Sequence, residues 1–174
     1  MTPQLEQILA QYQVEKTEIA NVDEPRRSLV LFCLGDHHFA LYGSQVKELL
    51  ADRPISWVPG CAMSMEGVIN YRGRVESVIR LNILLEIDSK ESSGKRIILI
   101  GRGDEMQSGM LIDKLVDVLD VMESQILPPP ESLPPAMRNV VVGIVNMAEV
   151  YYSLLDLNLV FERYQETSGY DVSL

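Results

Sequence analysis

The chain has 174 residues, 47% of them apolar, enough to bury a core in one domain or in two small subdomains that share one. Its formal charge of -10 and pI near 4.6 argue against a nucleic-acid footprint, which needs clustered Lys and Arg, and they disfavour anionic membrane surfaces. No apolar run approaches the roughly 18 residues of a membrane span, residues 1–7 lack the basic and apolar regions of a secretory signal, and Cys33 and Cys61 have no companions for a disulfide framework, so a soluble cytoplasmic protein is expected.

Leu5, Ile8, Leu9 and Tyr12 recur at helical spacing and predict a short amphipathic lead helix, followed by a polar linker to residue 27. Strand texture begins at Ser28. Leu29–Leu34 and Phe39–Tyr42 read as a hairpin whose turn is residues 35–38. Val46, Leu49 and Leu50 are spaced for the buried side of a short helix, with Ser44 as its N-cap. Pro54 and Pro59 bracket a strand-like Ile55–Val58. Further strands are expected at Val68–Asn70, Val75–Leu81, Lys95–Ile100 and Gln107–Ile112, with residues 88–94 a mobile loop. Prolines at 128–130 and 134–135 interrupt any regular ladder, and Leu157–Tyr164 can turn helical before a polar tail.

One stretch nearly returns. Gly67–Glu86 and Gly143–Glu162 match without a gap at Gly67/Gly143, Asn70/Asn146, Ser77/Ser153, Leu81/Leu157, Asn82/Asn158 and Glu86/Glu162, where ordinary usage gives about one coincidence. Short strands, frequent turns and a unit built twice point to a pair of small barrels. Where the second copy has Met147, Ala148 and Glu149, the first has Tyr71, Arg72 and Gly73. An arginine there can grip carboxylates with its fork, and a glycine lets a partner backbone approach; a solvated arginine beside a turn glycine is the simpler alternative.

Candidate chemistry is sparse. His37 and His38 are adjacent, so on a strand they face opposite ways and cannot chelate one metal; a solvated hairpin tip is the expectation. Cys61 lacks a base and an orienting group, and residues 101–103 form a lone G-x-G without a following helix. Asp113, Asp117 and Asp120 stand at near-helical spacing without a calcium loop and read as a solvated face. With no constellation of acid, base and electrophile, a binding module without cofactors is expected.

The ordered motifs resemble a CheW-type chemosensory coupling domain. The resemblance spans about residues 28–161 and rests on Leu34-Gly35 with Phe39–Leu41, on Val46, Glu48 and Leu49, and on Gly67–Gly73 leading into Val78, Ile79 and Leu81. It continues through Gly109–Asp113 with Val116 and Leu119, the proline loop at 128–130, and Gly143 with Leu154–Leu157. It implies a mainly β fold of two five-stranded SH3-like barrels sharing a core, preceded by a helix and linker (1–27) and followed by a tail (162–174). It also implies a non-catalytic scaffold, monomeric within a larger array, that couples the cytoplasmic tips of chemoreceptors to the regulatory domain of a CheA-type histidine kinase. Val46, Glu48, Leu49, Gly67, Arg72, Gly73 and Arg80 are the partner-binding candidates. The family usually has Pro where this chain has Ser77, Asp where it has Arg80 and an aliphatic residue where it has Gly43. The Arg80 change reverses a local charge and leaves open a paralogue serving type IV pili. A small-ligand double barrel with its site in the seam, and an enzyme using Cys61, are the readings of other classes.

Overall fold

Leu29, Leu31, Ile98 and Ile100 point to one side of their strands, and Val30, Phe32 and Leu99 to the other; all seven are buried. A strand that is apolar on both faces needs a core on each side, and that requirement organises the molecule. In the computed structural model, residues 7, 24–88 and 94–168 are described. The expected lead helix apart from Gln7, residues 21–23 of the linker, residues 89–93 of the expected loop and the end of the chain lie outside them.

The strands are β1 (Arg26–Leu34), β2 (His37–Tyr42), β3 (Val46–Ala51), β4 (Met65–Tyr71), β5 (Arg74–Ile79), β6 (Ile97–Arg102), β7 (Gln107–Ile112), β8 (Lys114–Met122), β9 (Ile126–Leu127), β10 (Val141–Met147) and β11 (Val150–Leu155). Helices α1 (Leu81–Leu84), α2 (Pro135–Arg138) and α3 (Leu157–Ser168) complete the described elements, with 3-10 turns at Gly43–Gln45 and Glu123–Gln125. One sheet runs β3-β6-β7-β5-β4, the other β8-β1-β2-β11-β10-β9.

Both sheets close in the same way. After β3 the chain continues until Ser56 bridges to Val68 of β4, the far edge of its own sheet. After β8 the chain passes the second 3-10 turn and pairs as β9 with β10, where Leu127 faces Ile144. β9 is therefore the continuation of β8, and each sheet is a five-stranded barrel closed by a bent strand. These are the two SH3-like barrels expected. The barrels interlock, because β3 follows the hairpin β1–β2 but pairs with β6, while β8 follows the hairpin β6–β7 but pairs with β1.

The internal repeat is the hairpin β4–β5 against β10–β11. Each has a β-bulge at its glycine, between Met65 and Gly67 and between Val141 and Gly143. A Cβ at Gly67 would lie 2.2 Å from the Ser56 carbonyl oxygen, and one at Gly143 would lie 2.6 Å from Ile126 Cγ2 and 3.1 Å from the Leu127 carbonyl oxygen. The shared glycine is thus the position where the closing segment presses onto the hairpin. Both turns have two central residues at positive φ, Arg72 (49°) with Gly73 (78°) and Ala148 (50°) with Glu149 (65°), the geometry that suits a tight two-residue hairpin.

Three cores result. Leu29, Leu31, Ala40, Val121, Val145, Tyr152 and Leu154 fill one barrel; Leu50, Ile69, Tyr71, Val78, Ile98 and Ile100 fill the other. The largest lies between them, where Phe32, Phe39, Ile79, Leu81, Leu99 and Met110 meet Val160, Phe161 and Tyr164 of α3. Arg163 Nε donates to the Leu84 carbonyl at 2.9 Å, tying α3 to the end of α1.

Several expectations change. Val46, Leu49 and Leu50 belong to a strand, not to a helix capped by Ser44. A bulge between Val46 and Glu48 puts Val46 and Leu49 against the shared core and Leu50 inside a barrel, which mimics helical spacing. The first hairpin turn is shorter than expected: Gly35 and Asp36 alone connect β1 to β2, and His37 and His38 open β2. His38 meets the Tyr152 ring edge-on at 5.3 Å, and His37 stacks near Phe39 at 6.4 Å. Residues 55–58 make one bridge and no strand. Helix α3 covers the expected Leu157–Tyr164, runs four residues further to Ser168 and buries Tyr164.

Two stability outcomes follow from the repeated hairpin. Gly67→Ala should cost about 3 kcal/mol or more, because backbone stands where the methyl group would go. Gly73→Ala, with open space around it, should cost only about 1 kcal/mol for its left-handed backbone; urea unfolding of both variants separates the two. In the second copy neither Ala148 nor Glu149 suits positive φ, so the double change Ala148→Asn, Glu149→Gly should raise stability by about 1 kcal/mol, a melting shift of about 3 °C.

Candidate partner-docking face

The first barrel joins its two edge strands through side chains at one corner. Tyr71, the last residue of β4, has its ring buried in the barrel and donates its phenol to Glu48 Oε2 on β3 at 2.7 Å. Arg72, held outward by the turn, donates to the same oxygen at 3.2 Å, and its guanidinium lies 5.5 Å from the centre of the Tyr71 ring. The Arg72 side chain is 75% exposed, whereas that of Glu48 is 36% exposed. The Asn70 side chain accepts the Gly73 amide at 3.0 Å and fixes the turn that presents the arginine. The Tyr71 hydrogen bond, helped by the charge of Arg72, lowers the pKa of Glu48, and the same bond raises that of Tyr71.

The second barrel lacks this device. Met147 and Ala148 replace Tyr71 and Arg72, and by strand register the counterpart of Glu48 is Asp117, whose carboxylate caps the adjacent Val118 amide at 2.8 Å. The corner that can grip a partner's carboxylate with a preorganised arginine belongs to the first copy.

Of the seven candidates, Glu48, Arg72 and Gly73 come together at this corner. Val46 and Leu49 lie on the same strand, partly buried against the shared core. Gly67 is buried beneath Ser56 and presents no surface. Arg80 sits apart from the corner, its Nε 2.9 Å from Glu66 Oε2, while Arg96 holds the other oxygen of Glu66. The arginine that departs from the family pattern is thus neutralised within its own barrel.

Sequence reasoning missed two groups. Tyr71 was named only as part of the turn; its two-residue separation from the buried Ile69 on β4 is the signal that its ring points into the barrel. Trp57 (71% exposed) and Met63 (77%) stand open beside the Arg80–Glu66–Arg96 group on a second cleft of about 540 Å³. The missed strand-to-strand loop around them is recognisable only once Ile55–Val58 is known not to be a strand.

The fold is a pair of interlocked five-stranded barrels, and the corner makes the first barrel differ from the second. Residues 28–165 match the CheW-like domain. A probable chemotaxis protein CheW of Rhizobium etli is 27% identical over 83% of this chain and 94% of its own length, and the chemotaxis protein CheW of Bacillus subtilis is 27% identical over 81% and 90%. The crystal structure of the scaffolding protein TtCheW from Thermoanaerobacter tengcongensis superposes with a TM-score of 0.72 at 26% identity, covering 79% of this chain and 94% of that one. The chain belongs to the CheW family of non-catalytic adaptors and is a chemotaxis coupling scaffold.

The corner has a pH signature. Because the folded-state pKa of Glu48 is depressed, the stability it contributes is present above the ordinary glutamate range and is lost as pH falls through the folded value. Tyr71→Phe removes the largest cause, so the Glu48 carboxyl should titrate at higher pH in a carbon-detected NMR titration, and stability should depend less on pH in that acidic window. An unmoved titration would show that the phenol does not hold the carboxylate.

Proposed function

We propose that this protein bridges chemoreceptor tips to the regulatory domain of a CheA-type histidine kinase beneath the cytoplasmic membrane surface, performs no catalysis itself, and uses the Glu48–Tyr71–Arg72 corner of its first barrel as a contact. The observation that carries this reading is the family match across residues 28–165, on a chain that covers at least nine-tenths of the length of the Rhizobium etli and Bacillus subtilis relatives. The physical support is local. An arginine on a two-residue turn, oriented by a tyrosine ring and a carboxylate, keeps most of its donors free for a partner and has little rotamer freedom left to lose on binding. Val46 and Leu49 supply apolar surface on the same strand, and Gly73 leaves room for close approach. Among the described residues no helix is long and apolar enough to cross a membrane, in keeping with a protein brought to the membrane by receptors.

Titration of the full chain against a kinase regulatory domain and a receptor-tip fragment from the same genome tests the reading. At least one should bind saturably, and Arg72→Ala should weaken that binding by about tenfold while shifting the melting temperature by less than about 2 °C. Binding to neither partner would overturn the coupling role. Binding that ignores Arg72→Ala would remove the corner from it.

A further inference from the structure

The cations of this acidic chain are not evenly spread. Lys47 on β3, Arg72 on the turn, Arg74 on β5 and Arg102 at the end of β6 line one cleft of about 340 Å³, with Tyr71 and Gln107 between them. The chain carries 15 Lys and Arg against 25 Asp and Glu, so four cations around one cleft run against its overall charge. Of the nearby acids, Glu48 is taken up by Tyr71 and Arg72, and Glu76 accepts the Gln107 amide at 2.9 Å. Among the described residues, Lys47, Arg74 and Arg102 take part in no ion pair, although all three are exposed and carboxylates abound on the surface. Like charges gathered around one cleft repel one another, and a bound anion relieves that cost.

We infer that this cleft receives a carboxylate-rich segment of a protein partner, with Lys47, Arg74 and Arg102 selecting it by charge. The inference rests on the coupling role for its biological setting, and it adds the chemistry of the partner surface. Cations drawn from three strands and a turn suit an extended segment with several carboxylates better than a single small anion, and the Gln107 amide offers a neutral hydrogen-bonding group among them. The overall negative field of the chain opposes acidic partners in the wrong orientation and leaves this cleft as the favourable approach.

The test uses an acetylated, amidated hexaglutamate peptide, a hexaglutamine control and inorganic phosphate, followed by amide NMR shifts of the full chain at low and at physiological salt. Hexaglutamate should shift the signals of Lys47, Arg74 and Arg102 saturably and more weakly at higher salt, and hexaglutamine should not. The triple variant Lys47→Gln, Arg74→Gln, Arg102→Gln should lose affinity by about tenfold or more with an unchanged melt. Equal binding to the triple variant, no binding, or shifts with phosphate alone would overturn the inference, as would self-association that the triple variant abolishes, since a second copy would then be the occupant. The same variant against the kinase and receptor fragments separates the two ideas. If wild type and variant bind alike, coupling stands and the cleft has no part in it. If the wild type binds neither fragment, coupling fails while the peptide result still decides the cleft.

Discussion

The constraint on which the rest depends is that the central strands have two dry faces. β1 sends Leu29 and Leu31 into its barrel and Val30, Phe32 and Leu34 into the space between the barrels. β6 repeats this with Ile98 and Ile100 inward and Leu99 outward. A barrel with apolar residues on its outer wall cannot stand alone in water, so each barrel needs the other and α3 to cover it. The exchange of β3 and β8 between barrels follows the same logic, because a third strand contributed to the neighbour makes separation of the two cores require unpairing a strand as well as exposing apolar surface.

Within that frame the two copies diverge where packing does not decide the residue. The bulge glycines, the Ser77/Ser153 pair and the Leu81/Leu157 helix starts are retained because strand closure and core volume fix them. Ser77 meets Ser108 at 2.9 Å beside the parallel contact of β5 with β7, a polar pair that satisfies Ser108 in a fully buried position. The turn is not so constrained: the second copy tolerates Ala148 and Glu149 in a backbone conformation that suits neither. The first copy fills the same turn with Arg72 and Gly73 and adds Tyr71 to hold the arginine. Divergence is therefore concentrated at the corner that faces solvent, as expected where recognition rather than folding sets the residue.

Much of this was legible in the sequence. The repeat announced two like units, and continuous apolar runs such as Leu29–Leu34 marked strands, whose burial on both faces the structure adds. Spacing failed at the bulges. Val46, Leu49 and Leu50 look helical because the extra residue, Lys47, shifts the alternation by one, and an irregularity of the same kind at Val116 on β8 falls between Asp113 and Asp117. No local pattern distinguishes a bulged strand that is apolar on both sides from one helical turn. Pairing of distant charges was equally hidden: Glu48 meets Arg72 only because the sheet curls its edges together, and Glu66 meets Arg80 only through the register of the β4–β5 hairpin.

Arg80 shows how such a pairing changes the meaning of a residue. Its counterpart Asp156 accepts the Asn158 amide at 2.8 Å and so caps α3, a helix of twelve residues. Arg80 occupies the equivalent position before α1, which has no side-chain cap and runs for four residues. The acid thus has a structural task in the second copy that the base cannot perform in the first. The positive charge of Arg80 is matched by Glu66, which Arg96 also holds, so little of it is left to attract or reject a partner. Among the described residues, three cations without an ion pair, Lys47, Arg74 and Arg102, stand around the cleft beside Arg72, where the inferred charge selection would act. A departure from the family pattern that looks decisive in one dimension is absorbed by folding, while residues outside every motif remain free to discriminate.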